Sequence, residues 1–224
     1  ALSQSESHSY ADFPRYSRAE RLADGAVHVI GVIFGLAACV SLIILALPSH
    51  DPLLWLALGL YGLGLLAMLV CSAAYNLIEQ PRAKAVIRRL DHAAIFVMIA
   101  GTYTPFTLIA IGGPWGLGLL AFVWTVALAG VAVQLFCPQR FDRLSVITYL
   151  LLGWCVLVAF DPLLAAVSAA GLALLAIGGL LYSLGVVFHL WERLPYQNAI
   201  WHACVLAAAV CHFTAVLSEV ALAG

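Results

Sequence analysis

Charge is scarce in this chain. Asp, Glu, Lys and Arg make up only 9% of its 224 residues, against about 25% in an ordinary soluble domain. With a formal net charge of −1 and its few basic residues confined to short loops, the chain has no footprint for nucleic acid, which is excluded as a partner. Its six cysteines, Cys39, Cys71, Cys137, Cys155, Cys204 and Cys211, form no CxxC pair and no cluster, so neither a disulfide framework nor a zinc ribbon is expected. They read as small buried hydrophobes. The first residues, Ala1 to Arg18, contain no apolar run, and no cleavable signal peptide is expected there. The single lysine, Lys84, lies in a loop, which excludes a retinal Schiff base in the last helix. No matched pair of interrupted segments marks an inverted-repeat transporter.

What the chain has instead is hydrophobic sequence, 64% of the total. After a polar arm over residues 1–19, seven apolar segments follow at about Gly25–Leu47, Pro52–Ile78, Leu90–Ile111, Trp115–Phe136, Leu144–Phe160, Leu163–Leu190 and Asn198–Leu222. Each approaches the roughly 20 residues that a spanning helix needs. The separators carry Pro and Gly, as in Pro48-Ser49-His50-Asp51-Pro52, Gly112-Gly113-Pro114, Cys137-Pro138 and Phe160-Asp161-Pro162. The expected fold is an all-α, seven-helix transmembrane bundle filling residues 20–224, with no room for a sizeable domain outside the bilayer. Trp55, Trp115, Trp191 and Tyr196 stand near segment ends, as an interfacial aromatic belt requires.

Arg15, Arg18 and Arg21, then Arg82, Lys84, Arg88 and Arg89, then Arg140 and Arg143, then Arg193 all fall in one alternate set of connections. Short positive loops stay on the cytoplasmic side, so the N-terminus is expected inside and the C-terminus outside. That orientation puts Glu20, Asp24 and His28, Ser72 and Asn76, Asp91 and His92, and Asn198 and His202 into one inner layer. Members of the pairs four residues apart share a helix stripe, with about 6 Å of rise between them. Ionisable groups in such a layer mark a site or a pairing that assembles the bundle. Asp91 has a salt bridge to Arg88 or Arg89 as its plain alternative, and Thr102-Tyr103-Thr104-Pro105 reads as a kink whose hydroxyls bond freed carbonyls. His212 and Glu219 lie too far along the last segment to join the layer. The former reads as a satisfied bundle histidine and the latter as an interfacial carboxylate.

Four separated motifs carry a resemblance: Glu20…Asp24…His28-Val29-Ile30-Gly31; Ser72-Ala73-Ala74-Tyr75-Asn76; Arg89-Leu90-Asp91-His92-Ala93-Ala94-Ile95 running on to Gly101-Thr102-Tyr103-Thr104-Pro105-Phe106; and Asn198-Ala199-Ile200-Trp201-His202 with His212-Phe213. In this order, from Glu20 onward, the chain resembles the hemolysin III group of bacterial membrane proteins within the progestin and adipoQ receptor family. The resemblance implies a seven-helix inner-membrane protein with membrane lipids as partners, and kinship to metal-dependent membrane amide hydrolases such as ceramidases. It implies zinc held by a histidine four residues after the second-helix serine and by two histidines four apart opening the seventh helix. In that pattern a water is held by the aspartate of the third helix.

Here the first two of those ligand positions are Asn76 and Asn198, and His202 alone remains. A carboxamide oxygen does not replace imidazole for zinc, so zinc is left without its full ligand set and the expectation is a degenerate metal site. Ser72 and Asp91 keep the catalytic positions of the pattern, and Glu20, Asp24, His28 and His92 stand as accessory residues. His28, His92 and His202 with Asp91 make an alternative tetrahedral set, and a hydrogen-bonded polar cluster of Ser72, Asn76, Asp91, Asn198 and His202 makes a metal-free one. The expected function is lipid binding or membrane homeostasis. A zinc-dependent lipid amide hydrolase is the alternative. A pore is weaker, because its polar residues would run through the full depth of the bundle.

Overall fold

The computed structural model describes residues 17–78, 80–137 and 142–222. Of the polar arm over residues 1–19, residues 1–16 lie outside the described part, as do residues 138–141 between the fourth and fifth segments. The helices are α1 Arg18–Ala46, α2 Pro52–Leu77, α3 Pro81–Pro105, α4 Gly113–Phe136, α5 Asp142–Trp154, α6 Phe160–Ala166, α7 Ala169–Leu190 and α8 Gln197–Val216. A π-helical turn, Phe106–Ile111, continues α3; a 3-10 stretch, Cys155–Ala159, joins α5 to α6; and a second π-helical turn, Leu217–Ala221, ends α8. Among the described residues seven helical stretches are long and apolar enough to cross a membrane, α5 and α6 together forming the fifth. Strands are absent from the described residues.

Local chemistry sets the helix starts. Ser17 Oγ accepts from the Glu20 amide while Glu20 Oε2 accepts from the Ser17 amide at 2.8 Å, a capping box that opens α1 a full turn and more before its apolar run. Asp51 caps α2 by accepting from the Leu53 amide at 2.8 Å, with Pro52 in the first turn. Ser168 caps α7 through the Gly171 amide, and Glu219 accepts from both the Ser168 amide and its hydroxyl, tying the far end of the eighth helix to the start of the seventh. α3 begins at Pro81, so the Arg82–Arg89 run is helical and extends the apolar segment toward the basic end.

The fifth span differs from its expected limits. Phe160-Asp161-Pro162 reads as a loop in sequence, yet these residues form the first turn of α6, where a proline's missing N–H has no helical partner to lose. The turn to α7 falls later, at Val167 and Ser168. The irregularity sits instead at Cys155–Ala159, and Tyr103 of α3 repairs it. Its hydroxyl lies 3.0 Å and 2.8 Å from the Leu152 and Gly153 carbonyls, to which it donates, and it accepts from the Val156 amide at 2.9 Å.

Packing is closest between α2 and α3. A Cβ on Gly101 would lie 2.9 Å from the Leu60 carbonyl oxygen, and one on Gly64 would lie 3.0 Å from that of Val97. Glycine at both crossings lets the two backbones approach, the means by which membrane helices associate where lipid removes any hydrophobic drive. One core cluster runs through Leu42, Leu58, Tyr61, Leu65, Met68 and Val216; another joins Phe96, Ala100 and Tyr103 to Val123, Ala127 and Leu152. Large apolar side chains point outward instead, Ile33 being 62% and Leu151 69% exposed, which suits a surface solvated by acyl chains. Thr102, Thr104 and Thr107 bond the Met98, Ala100 and Tyr103 carbonyls around Pro105, and Trp124 Nε1 donates to Thr104.

Candidate functional site

At the end of the bundle that carries the basic connections, α1, α2, α3 and α8 bring the expected layer together. Asp24 and His28 lie one turn apart on the buried stripe of α1. His202, one turn into α8, lies against both. Its Nδ1 is 2.6 Å from Asp24 Oδ1, and because a carboxylate only accepts, Nδ1 carries the proton. Nε2 then bears the lone pair, with Ser72 Oγ 3.4 Å away as its donor. The His28 and His202 rings stack tilted at 4.3 Å between centroids.

The two asparagines complete the layer. Asn198 Nδ2 donates to Asp24 Oδ2 and to Asn76 Oδ1, each at 3.0 Å, and Asn76 Nδ2 donates to the Ser72 carbonyl at 2.9 Å. α1, α2 and α8 are thereby linked through side chains that satisfy one another, as a polar network in a lipid-solvated bundle must. The two amides bond each other where the resemblance places imidazoles, and one points its NH2 at Asp24. That arrangement does not fit the zinc set the resemblance implies.

Asp91 sits beside Ser72, with His28 and Arg88 as its ionisable neighbours. His92 faces the cavity, and its carbonyl accepts from Tyr149 of α5 at 2.9 Å. The alternative set of His28, His92 and His202 with Asp91 is therefore not what assembles: the carboxylate that meets both His28 and His202 is Asp24. Glu20 does two jobs at the rim, closing the α1 capping box and accepting from the Tyr196 amide at 3.0 Å through Oε1. Tyr196 is the one described non-glycine residue with positive φ, 59°, a conformation uncommon for a large side chain. It stands at the entry to α8.

Above this floor opens a cavity of about 1460 Å³. Asp24, Asn76, Asn198 and His202 form its polar base; Ile95, Val146, Ile147, Val186 and Leu190 form apolar walls; Arg18, Arg21, Lys84 and Arg88 stand among the residues of its mouth with Glu20 and Glu192. Lys84 Nζ lies 5.2 Å over the Tyr75 ring, within cation–π range.

Sequence reasoning missed Gln197 and Tyr149. Gln197 is buried and its Nε2 donates to the His189 carbonyl, closing the gap between α7 and α8. A glutamine next to Asn198 at a segment start was the available signal. Tyr149 lies within an apolar run, and nothing in the sequence singles it out. His212 and Glu219 remain apart from the layer, the former 3.3 Å from the Leu175 carbonyl.

Seven apolar helical stretches, with a cavity of polar base and apolar walls at one end, define a multi-pass α-helical membrane protein. The profile described as "Haemolysin-III related" matches residues 17–213. Hemolysin-3 of Bacillus cereus is 39% identical over 198 residues, 88% of this chain and 90% of its own length. A hemolysin-3 homolog of Bacillus subtilis (strain 168) is 38% identical over 198 residues, 88% and 93% of the two chains. The monocyte to macrophage differentiation factor of Homo sapiens is 30% identical over 168 residues, 70% of this chain and 67% of its own. The chain belongs to the hemolysin III family.

Proposed function

We propose that this protein binds a membrane amphiphile in the chamber at its basic end and serves membrane homeostasis through that binding. In this reading it lies in the cell's inner membrane with the basic end in the cytoplasm, as the placement of its arginines and lysine favours. The observation that carries it is the chamber itself. A volume of about 1460 Å³ with a polar base, apolar walls and cationic side chains at the mouth suits a lipid, whose headgroup and chain require those three surfaces. Hydrolysis through a three-imidazole zinc centre is not part of the reading, because Asn76 and Asn198 occupy two of its ligand positions and bond each other. A pore is disfavoured by the packed core beyond the chamber, where Tyr61, Leu65 and Val216 are fully buried.

Native mass spectrometry of the detergent-solubilised protein is the test. A co-purified lipid should be seen on the wild type. It should be strongly depleted from Val146→Trp, which fills the chamber wall without touching the polar base. Equal lipid on both, or none on either, would show that the chamber is not the binding site.

A further inference from the structure

Behind the base of the chamber lies a group that the hydrogen-bond network leaves out. His28 is 94% buried, and its Nε2 has no hydrogen-bond partner although it lies 3.4 Å from Asp24 Oδ2. A buried polar atom without a partner is uncommon and unfavourable. This one is aimed at a carboxylate that is already shared with His202 and Asn198. One donor atom each from Asp24, His28 and His202 lie within 4.8 Å of one another, all three residues being buried.

We propose that Asp24, His28 and His202 bind a divalent transition-metal ion of the zinc class, displaced onto α1 from the positions that the family pattern uses. Two imidazoles and one carboxylate form a donor set that zinc accepts, with a fourth position left for water. Donors on a tetrahedral zinc with bonds of about 2.0–2.1 Å stand roughly 3.3–3.4 Å apart, and His28 Nε2 and Asp24 Oδ2 are at that separation already. Coordination gives His28 the partner it lacks.

The surrounding residues act as the outer shell such a site needs. Binding through His202 Nδ1 moves that ring's proton to Nε2, where Ser72 Oγ accepts it in place of donating. Asn198 Nδ2 donates to Asp24 Oδ2, the oxygen nearest His28, and fixes the orientation of the carboxylate, whose other oxygen, Oδ1, meets His202. The asparagines at the family's ligand positions thus support a metal they do not touch. Asp24 and His202 both line the chamber, so the ion has a route from the basic end. The proposal does not rest on an amphiphile occupying the chamber.

The test uses the full chain purified without a polyhistidine tag, stripped with a chelator, loaded with zinc, freed of excess by gel filtration and assayed by element analysis. About one ion per chain is expected on the wild type, with buffer background on His28→Gln. Zinc should raise the Tm of the wild type by binding the native state, and leave that of His28→Gln unchanged. X-ray absorption at the zinc edge of the loaded wild type needs no variant and should show two imidazoles completed by oxygen. A wild type that retains no zinc, a His28→Gln chain with a wild-type load, or a shell without two imidazoles would overturn the proposal. Lipid measured on the same samples tests the amphiphile reading separately, since His28 is not among the chamber-lining residues.

Discussion

Asn198 bears more of the inner layer than its neutral side chain suggests. Its NH2 group serves Asp24 Oδ2 and Asn76 Oδ1 together, so Asn198→Ala leaves two acceptors short of a donor at the half-buried base of the chamber. Each buried unsatisfied group is worth roughly 1–3 kcal/mol. The variant is therefore expected to be less stable by about 2–4 kcal/mol once some relaxation is allowed for, read as a lower Tm in detergent. Asn198→Asp is expected to be worse than Ala, because it sets a second carboxylate against Asp24. A Tm for either variant equal to that of the wild type would mean that the network does not hold α1 to α8. Which carboxylate meets His202 was not legible in the sequence. Asp24 and Asp91 occupy the same layer, and the choice depends on how α1 and α3 are rotated about their axes. Each residue turns a helix by about 100°, and the rotation of α1 is settled by packing, with Gly31 and Gly35 seated against Leu69.

At the scale of the element, the fifth span depends on a residue in the third. Cys155–Ala159 departs from α-helical geometry, which leaves carbonyls and an amide unpaired at membrane depth unless another helix supplies them. Tyr103 does so with one hydroxyl that reaches Leu152, Gly153 and Val156. Tyr103→Phe keeps the ring and removes all three contacts. It is expected to destabilise the bundle by about 1–3 kcal/mol and to speed amide exchange at Val156 selectively in hydrogen-exchange mass spectrometry. Unchanged exchange there would show that the break is satisfied by other means. In the sequence, the Thr102-Tyr103-Thr104-Pro105 run was legible as a kink with hydroxyls near freed carbonyls, but only the threonines turn back on their own helix. The tyrosine's partners lie some fifty positions away, and no local pattern could point to them. The same non-local repair explains why Asp161-Pro162 reads as a loop: the proline marks a helix start that follows the break, and the sequence shows the proline without the break.

For the whole molecule, the seven apolar stretches and the gathering of polar residues at one end were legible because both follow from rules that act along the chain, namely segment length and the side on which basic loops fall. The chamber was not, because its walls come from ordinary valines, isoleucines and leucines on α5 and α7 that only the assembled bundle brings to one cavity. Its cytoplasmic assignment carries a prediction about topology. His50 stands exposed in the connection from α1 to α2, and Arg193 in the connection from α7 to α8 at the basic end. With the six native cysteines replaced, a His50→Cys chain is expected to react with a membrane-impermeant maleimide in intact cells. An Arg193→Cys chain should react only after the membrane is opened. The ten basic residues set against no lysine or arginine in the alternate loops make this arrangement the one that the positive-inside rule selects. Labelling of Arg193→Cys from outside intact cells would invert the molecule. The chamber and its Asp24–His202 base would then face away from the cytoplasm, and the amphiphile proposed for it would have to come from the outer leaflet.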